Sequence, residues 1–252
     1  MKYLGVYMLF FLALACGERN FKKTDEEKFV KEGRRWSAQQ AWDWYDKQPW
    51  YLGANFNPSS SINQLEFWQE DTFDPETIDR ELKWSADLGM NLHRVYLHNL
   101  LWEQDSIGFL NRLEDYLGLA QKHKIKTMFV LLDDVWHPIP EPGVQPEPIP
   151  HIHNSGWVQS PGAEILGDTT RHHELESYIK GVILVWDLYN EPDNVAGQPG
   201  RKELEVANKH IYSLKLLKKV MRWAREINPG QPLTAGIWRG NIDHWGTPDS
   251  LP

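Results

Sequence analysis

From Trp50 onward, short apolar runs rich in β-branched and aromatic residues alternate with segments of helical period, and this rhythm is what most restricts the fold. It calls for βα units and a parallel sheet. The spacing predicts strands over Tyr51–Phe56, Leu92–Leu97, Thr127–Leu132, Val182–Leu188 and Leu233–Trp238. Between the first two, Asp74 and Pro75 form a helix start, N-cap then N1, and Ile78, Leu82 and Ala86 follow at helical spacing until Gly89 ends the helix. A second helix carries Leu110, Leu113, Leu117 and Ala120 on one face. A third carries Leu214, Leu217, Val220, Met221 and Ala224 and stops before Asn228-Pro229-Gly230. These stripes are core.

Two longer irregular stretches interrupt the rhythm, Trp136–Gly167 with its Pro138-Ile139-Pro140-Glu141-Pro142 opening, and Asp193–Gly200. Each follows a predicted strand. Long loops after strands and short turns before them are the asymmetry of a (β/α)8 barrel, whose functional loops lie at the C-terminal face. The expected fold class is therefore α/β, of the (β/α)8 TIM-barrel type, with only about the first five βα units in this chain.

Composition narrows the partners. With 35 acidic and 27 basic residues the formal net charge is −8, which argues against nucleic acid, whose phosphates ask for a basic face. A hydrophobic content of 41% excludes intrinsic disorder for most of the chain. The 13 Trp and 9 Tyr leave two readings open: large core residues, or amphipathic rings against which flat, hydroxylated ligands such as carbohydrate stack.

At the N-terminus, Lys2 precedes an apolar run from Tyr3 to Ala15, too short to span a bilayer but suited to the h-region of a secretory signal. It ends at Cys16, the single cysteine, so no disulfide framework exists. The arrangement resembles a bacterial lipoprotein signal, with Ala15 as expected before the cysteine and Ala13 where that pattern usually has Leu. The expected organisation is a signal over residues 1–15, a charged tether over 16–40 that holds the domain off a membrane through lipidated Cys16, and an incomplete barrel domain over 41–252; an ordinary cleaved signal with an incidental cysteine is the alternative. The chain would be exported and lipid-anchored to a bacterial membrane.

The segment Trp186-Asp187-Leu188-Tyr189-Asn190-Glu191-Pro192 carries the chemistry. A buried strand delivers Asn190 and Glu191 to its C-terminal end, and Pro192 stops the ladder there. Glycoside hydrolysis needs a carboxylic acid at such a mouth to protonate the departing oxygen, and a neighbouring amide suits a bond to the sugar 2-OH.

This segment resembles the fourth-strand signature of the cellulase-like retaining glycoside hydrolases of clan A, in particular the family 5 type. Gly53-Ala54-Asn55-Phe56, Phe67-Trp68-Gln69, Leu100-Leu101-Trp102-Glu103-Gln104-Asp105 and Asn154–Gly162 are similar to a bacterial subgroup often labelled cellulase or 1,4-β-xylanase. The resemblance runs over roughly Trp42–Arg239. It implies Glu191 as general acid/base, Asn190 as the 2-OH contact and Arg94 as the arginine that keeps the nucleophilic carboxylate ionised, since a nearby positive charge favours the charged form. His98 would line the cleft. Asp133 and Asp134 either bind sugar hydroxyls or cap the loop that follows. Trp136 would offer a stacking platform beside His137, and Trp157 and Trp238 are either further sugar contacts or packing. The resemblance implies a β-linked polysaccharide or oligosaccharide as substrate, with no cofactor. The histidines at 98, 137, 151, 153, 172 and 173 follow no strong ligand spacing, so no metal is expected.

Two departures from the family pattern bear on activity. A retaining enzyme needs a second carboxylate about 5 to 5.5 Å from the first. The family carries it on the seventh strand, and no carboxylate of this sequence takes that role by resemblance. Second, Glu174–Lys180 passes through Gly181 almost directly into Val182-Ile183-Leu184-Val185, where relatives have a longer helix and a turn, so Gly181 is expected as the C′ residue of a shortened helix. Both features lead to the expectation of a truncated or rearranged gene, its product active only with the missing strands supplied. The alternative function is a non-catalytic carbohydrate-binding lipoprotein or an inactive fragment.

Overall fold

A computed structural model of the chain describes residues 36–182, 187–194 and 202–240. The expected signal, Cys16 and the tether up to residue 35 lie outside the described residues, as do Trp186, the Ile183-Leu184 join and residues 241–252. The first described helix starts within the stretch expected as tether. Helix α1 (Ala38–Tyr45) begins there because Ser37 and Gln40 form a reciprocal capping box: the Ser37 hydroxyl accepts from the Gln40 N–H at 3.2 Å and the Ser37 N–H donates to Gln40 Oε1 at 2.9 Å.

Five strands, β1 (Gly53–Asn55), β2 (Leu92–Tyr96), β3 (Lys126–Asp133), β4 (Asp187–Asn190) and β5 (Thr234–Gly236), form one wholly parallel sheet in the order β1-β2-β3-β4-β5. The class is α/β. Strands paired in sequence order by right-handed crossovers keep their helices on one side of the sheet, the arrangement of an arc of a (β/α)8 barrel. The two sides differ accordingly. On β2, His93 and Val95 are buried under the helices while Leu92 and Arg94 are only half-buried; on β3, Phe129 and Leu131 are buried and Met128 is half-buried.

The helices follow the expected stripes with local revisions. In α3 (Pro75–Asp87), Asp74 accepts from the Thr77 N–H at 3.0 Å, Pro75 is the first residue, and Gly89 ends the turn at φ +87°, a conformation that favours glycine. Helix α4 (Asn99–Lys122) is longer than predicted and broken at Asp105, whose φ of −158° is extended; the Asp105 carboxylate restarts the helix by accepting from the Gly108 N–H at 2.9 Å. Its buried line is Phe109, Leu113, Tyr116 and Ala120, with Leu110 and Leu117 half-buried beside it. After β3 come α5 (Ala163–Leu166), a 3₁₀ turn at Arg171–Leu175 and α6 (Glu176–Gly181). Helix α7 (Lys209–Ile227) buries Leu216, Leu217, Val220, Met221, Trp223 and Ala224 and ends at left-handed Asn228, φ +55°.

Gly181 requires a correction. It is a helical residue of α6, and its lack of a side chain serves a close approach: a Cβ there would lie 2.1 Å from the Trp102 ring. Trp102 belongs to α4 and bonds through its indole N–H to Ser177 Oγ at 3.2 Å, so the glycine lets two helices meet face to ring.

Part of the tryptophan excess is core. Trp68, on α2 (Gln64–Trp68), is fully buried among Phe67, Phe109, Tyr116 and Phe129. The residues around it hold the long loop that follows β3. The Asn63 amide donates to Gln145 Oε1 and to the Gly156 carbonyl, both at 2.8 Å, and Gln64 donates to the Val158 carbonyl at 2.6 Å. The loop is also tied to β3 by paired backbone bonds between Asp133 and Ser160, at 2.7 and 2.9 Å. A long irregular stretch is thereby fixed over the C-terminal end of the sheet.

Candidate active site

The C-terminal ends of β2, β3 and β4 converge on one hydrogen-bonded network. Arg94, from β2, donates through Nε to Asp187 Oδ2 at 3.0 Å and through Nη2 to Asn190 Oδ1 at 2.9 Å, while Nη1 bonds the Tyr96 hydroxyl. Asp187 and Asn190 are three residues apart on one strand, and period-2 alternation alone would send them to opposite faces. The pairing of β4 with β5 slips by one residue between them, Asp187 facing Thr234 and Asn190 facing Gly236, and both side chains meet the same guanidinium.

The other end of the amide is held as well. Asn190 Nδ2 donates to Asp133 Oδ1 at 2.8 Å. Because Arg94 can only donate, the Asn190 oxygen faces the guanidinium and its nitrogen faces Asp133, which fixes the amide orientation. Asp133 is fully buried and also accepts from the Trp136 indole N–H at 3.0 Å and, weakly, from the Val135 N–H at 3.3 Å. Burial pushes its carboxyl up to about 7; the Asn190 bond opposes this and the negative charge of Glu191 adds to it. Burial and the nearby Asp133 charge also drive the Tyr96 hydroxyl far above the usual phenol range, so it stays neutral.

Glu191 follows directly and is half-buried, with φ +48°. A non-glycine residue in this region is strained by about 1 kcal/mol or more. Three bonds hold it there: its N–H donates to the Gly236 carbonyl at 2.6 Å, its carbonyl accepts from the Asn194 N–H at 2.8 Å, and its Oε2 accepts from Asn194 Nδ2 at 2.8 Å. The next acidic residue, Asp193, is buried and accepts the backbone N–H groups of Trp238, Arg239 and Gly240 at 2.7 to 2.8 Å, which locks the loop after β4 to the end of β5. Trp238 thus lies two residues past β5, 40% exposed, with the Arg239 guanidinium 4.0 Å over its ring.

An aromatic wall stands beside the network. Trp157 meets Tyr96 edge-on at 5.1 Å and Trp136 at 6.2 Å, and Trp136 meets His153 at 5.4 Å. Trp136 and Trp157 are each half-buried, so both retain ring surface for a ligand. His137 is half-buried, with Nδ1 accepting from the Ile139 N–H at 3.0 Å and its backbone N–H bonded to the Trp157 carbonyl at 3.1 Å; it braces the loop.

Two expectations are corrected. His98 is fully buried and does not line the cleft. It is the N-cap of α4, with Nδ1 accepting from the Leu100 N–H at 3.2 Å and Nε2 bonded to the Gln159 carbonyl at 2.9 Å, and burial lowers its pKa to about 3. Asp134 also points away from the wall. It is fully buried, its carboxylate takes the Ser213 hydroxyl, and buried Lys209 lies 3.8 Å from Oδ1 while donating to the Asp134 carbonyl at 2.5 Å, so this residue anchors the start of α7. Arg94 itself pairs with Asp187 of β4, whose side chain is 4% exposed. Sequence reasoning passed over Asp187 and Tyr96. Both had a signal: an aspartate in an otherwise apolar strand needs a cation, and Tyr96 follows Arg94 by the two-residue strand period.

A separate cavity lies elsewhere. About 610 Å³ in volume and lined by Trp44, Tyr51, Leu92, Met128, Pro232 and Thr234, it sits at the strand starts, at the opposite end of the sheet from Glu191. Among the described residues, no group of three His, Cys, Asp or Glu side chains is arranged to hold a metal ion. No helix among them is long and apolar enough to cross a membrane.

By sequence, no protein-family profile and no curated protein matches the chain. Solved structures similar to it include an endo-1,4-beta-mannanase from Rhizomucor miehei, at 14% identity and a TM-score of 0.48, covering 82% of this chain and 63% of that one. A beta-mannanase from the blue mussel Mytilus edulis has 15% identity and a TM-score of 0.48, with 75% and 59% of the two chains covered. An endo-1,4-beta-D-mannanase from Thermotoga petrophila RKU-1 has 11% identity and a TM-score of 0.43, covering 76% and 58%. The chain spans less than two thirds of the length of each of these.

Proposed function

We propose that the chain carries the acid/base side of a glycosidase cleft for β-linked glycans, of the cellulase-like clan A type. The observation that carries this reading is the amide of Asn190, fixed from both sides by Arg94 and Asp133 next to a carboxylic acid at a strand end. Each group has a task that the geometry supports. Glu191 protonates the departing glycosidic oxygen and then, as the conjugate base, activates water. Asn190 retains one N–H and one lone pair beyond its bonds to Asp133 and Arg94, and these suit the sugar 2-OH, a contact that strengthens as positive charge develops at the neighbouring carbon. Arg94 keeps the surroundings of Asn190 positively biased and pairs with Asp187. Trp136 and Trp157 give sugar rings apolar faces to stack on, and exposed Trp238 past the end of β5 offers another.

The retaining reaction needs a second carboxylate as nucleophile, and this reading assigns that role to no residue of the chain. Release of reducing sugar from xylan, β-glucan or mannan by the protein produced from its native locus, abolished by Glu191→Gln, is the expected result. Glycan binding without any turnover would assign the same cleft to a non-catalytic carbohydrate-binding protein. Neither binding nor turnover would remove carbohydrate from the proposal. We further propose export and lipid anchoring through Cys16; blocking lipoprotein processing should leave a larger precursor, and a soluble, unlipidated mature form would contradict the anchor.

A further inference from the structure

We infer that Asp133 is the positioning residue that locks the Asn190 amide and the Trp136 ring into one unit, so that the polar contact and the stacking surface of the cleft are set by a single buried carboxylate. The inference rests on the glycan-cleft reading of the same site, and it differs from a sugar-binding role for Asp133. A side chain with no exposed surface cannot meet a polysaccharide, and its oxygens are already engaged, Oδ1 by Asn190 Nδ2 at 2.8 Å and Oδ2 by the Trp136 indole N–H at 3.0 Å.

The Trp136 backbone supplies an independent reason. Its φ is +82°, a conformation that a bulky side chain adopts only when its surroundings over-determine it. The indole N–H bond is a polar restraint on that ring, whereas its ring contacts with His153 at 5.4 Å and Trp157 at 6.2 Å are edge contacts that do not fix an azimuth. Asp133 in turn cannot swing away. Its backbone is paired in both directions with Ser160, at 2.7 and 2.9 Å, and the Val135 N–H reaches Oδ1 at 3.3 Å. Every one of these side-chain partners is a donor, which is the environment of an acceptor-only group. Asparagine at 133 keeps the shape but turns one acceptor into a donor, set against either Asn190 Nδ2 or the indole N–H. The arrangement then loses one of its two bonds.

The test begins without sugar. In the 15N–1H spectrum of the full chain, the Trp136 indole resonance is identified by its disappearance in Trp136→Phe. In the wild type it should exchange with solvent more slowly than an exposed indole, and an indole exchanging at the free rate would overturn the inference even if every Asp133 variant failed to fold. Asp133→Asn should move that resonance together with the side-chain amide pair of Asn190, while Asp134→Asn, a change at the adjacent buried carboxylate, leaves both in place; an unmoved Trp136 indole overturns the inference. With xylo-, cello- or mannohexaose as probe, Asp133→Asn and Trp136→Ala should each weaken binding by about tenfold, and the double variant should be no weaker than either alone. Additive losses would contradict the single unit. If the wild type binds none of the three sugars, the glycan reading fails, whereas the indole and amide shifts still decide whether Asp133 positions the pair.

Discussion

Arg94 on β2 donates to Asn190 on β4 at 2.9 Å although β3 runs between them. Strands two apart in a flat sheet are separated by about 9.5 Å. The long arginine side chain and the Asn190 amide together bridge that gap across β3. The network is therefore a product of the topology, and it should be sensitive to any change that alters the Arg94 fork.

Replacing Arg94 by Met removes the cation from Asp187, which is 4% exposed and takes two guanidinium nitrogens. Breaking one side of a buried pair costs about 3 to 5 kcal/mol. Because Arg94 itself keeps 22% exposure, the lower end is expected, read as a drop in the denaturation midpoint. Asp187→Asn in the same chain should recover part of the loss. An Arg94→Met midpoint equal to that of the wild type would remove the pair from the core of the site.

Two buried histidines give a pH dependence of defined sign. His93 stacks on Phe56 at 4.9 Å with its pKa lowered to about 4 by burial, and His98 caps α4 with its pKa lowered to about 3 by the same cause. In the unfolded chain both titrate near 6.5. The unfolded state thus binds more protons below that pH, and the stability these residues contribute is present above about 6.5 and is lost as the pH falls toward 4 and 3. The slope is about 1.4 kcal/mol per pH unit for each proton. Proton NMR should show both rings still neutral at pH 5; a midpoint near 6.5 for either would contradict its burial as a neutral group.

Gly181→Ala tests the α4–α6 contact. A methyl group 2.1 Å from the Trp102 ring forces the helices apart or the indole out of its bond to Ser177. A loss of about 1 to 3 kcal/mol is expected, although alanine favours helix over glycine by roughly 0.5 to 1 kcal/mol. Net stabilisation in a thermal melt would show that Gly181 is an ordinary helical glycine.

Much of this was legible in the amino-acid order. The alternation of apolar runs and helical stripes gave the five strands and their parallel class, and Asp74-Pro75 and Asn228 marked helix ends because capping chemistry is local. Asn190 and Glu191 stood out because a polar pair closes an apolar strand. The directions of His98 and Asp134 were not legible. Both are polar residues at strand ends, where one residue of twist decides between cleft and helix layer, and each turned toward partners about 60 or more residues away, Gln159 and Ser213. Gly181 misled for a related reason: a glycine near a helix end satisfies both a left-handed turn and a close approach, and Trp102, 79 residues earlier, decides between them.

The central assignment is that Glu191 acts on the bond being broken and contributes little to holding the glycan. The most direct measurement is the steady-state kinetics of Glu191→Gln beside the wild type on the best of xylan, β-glucan and mannan. A fall in kcat of about 10² to 10⁴, with KM unchanged within a fewfold, is the expected result. A variant that keeps its kcat, or that loses only affinity, would contradict the role given to Glu191.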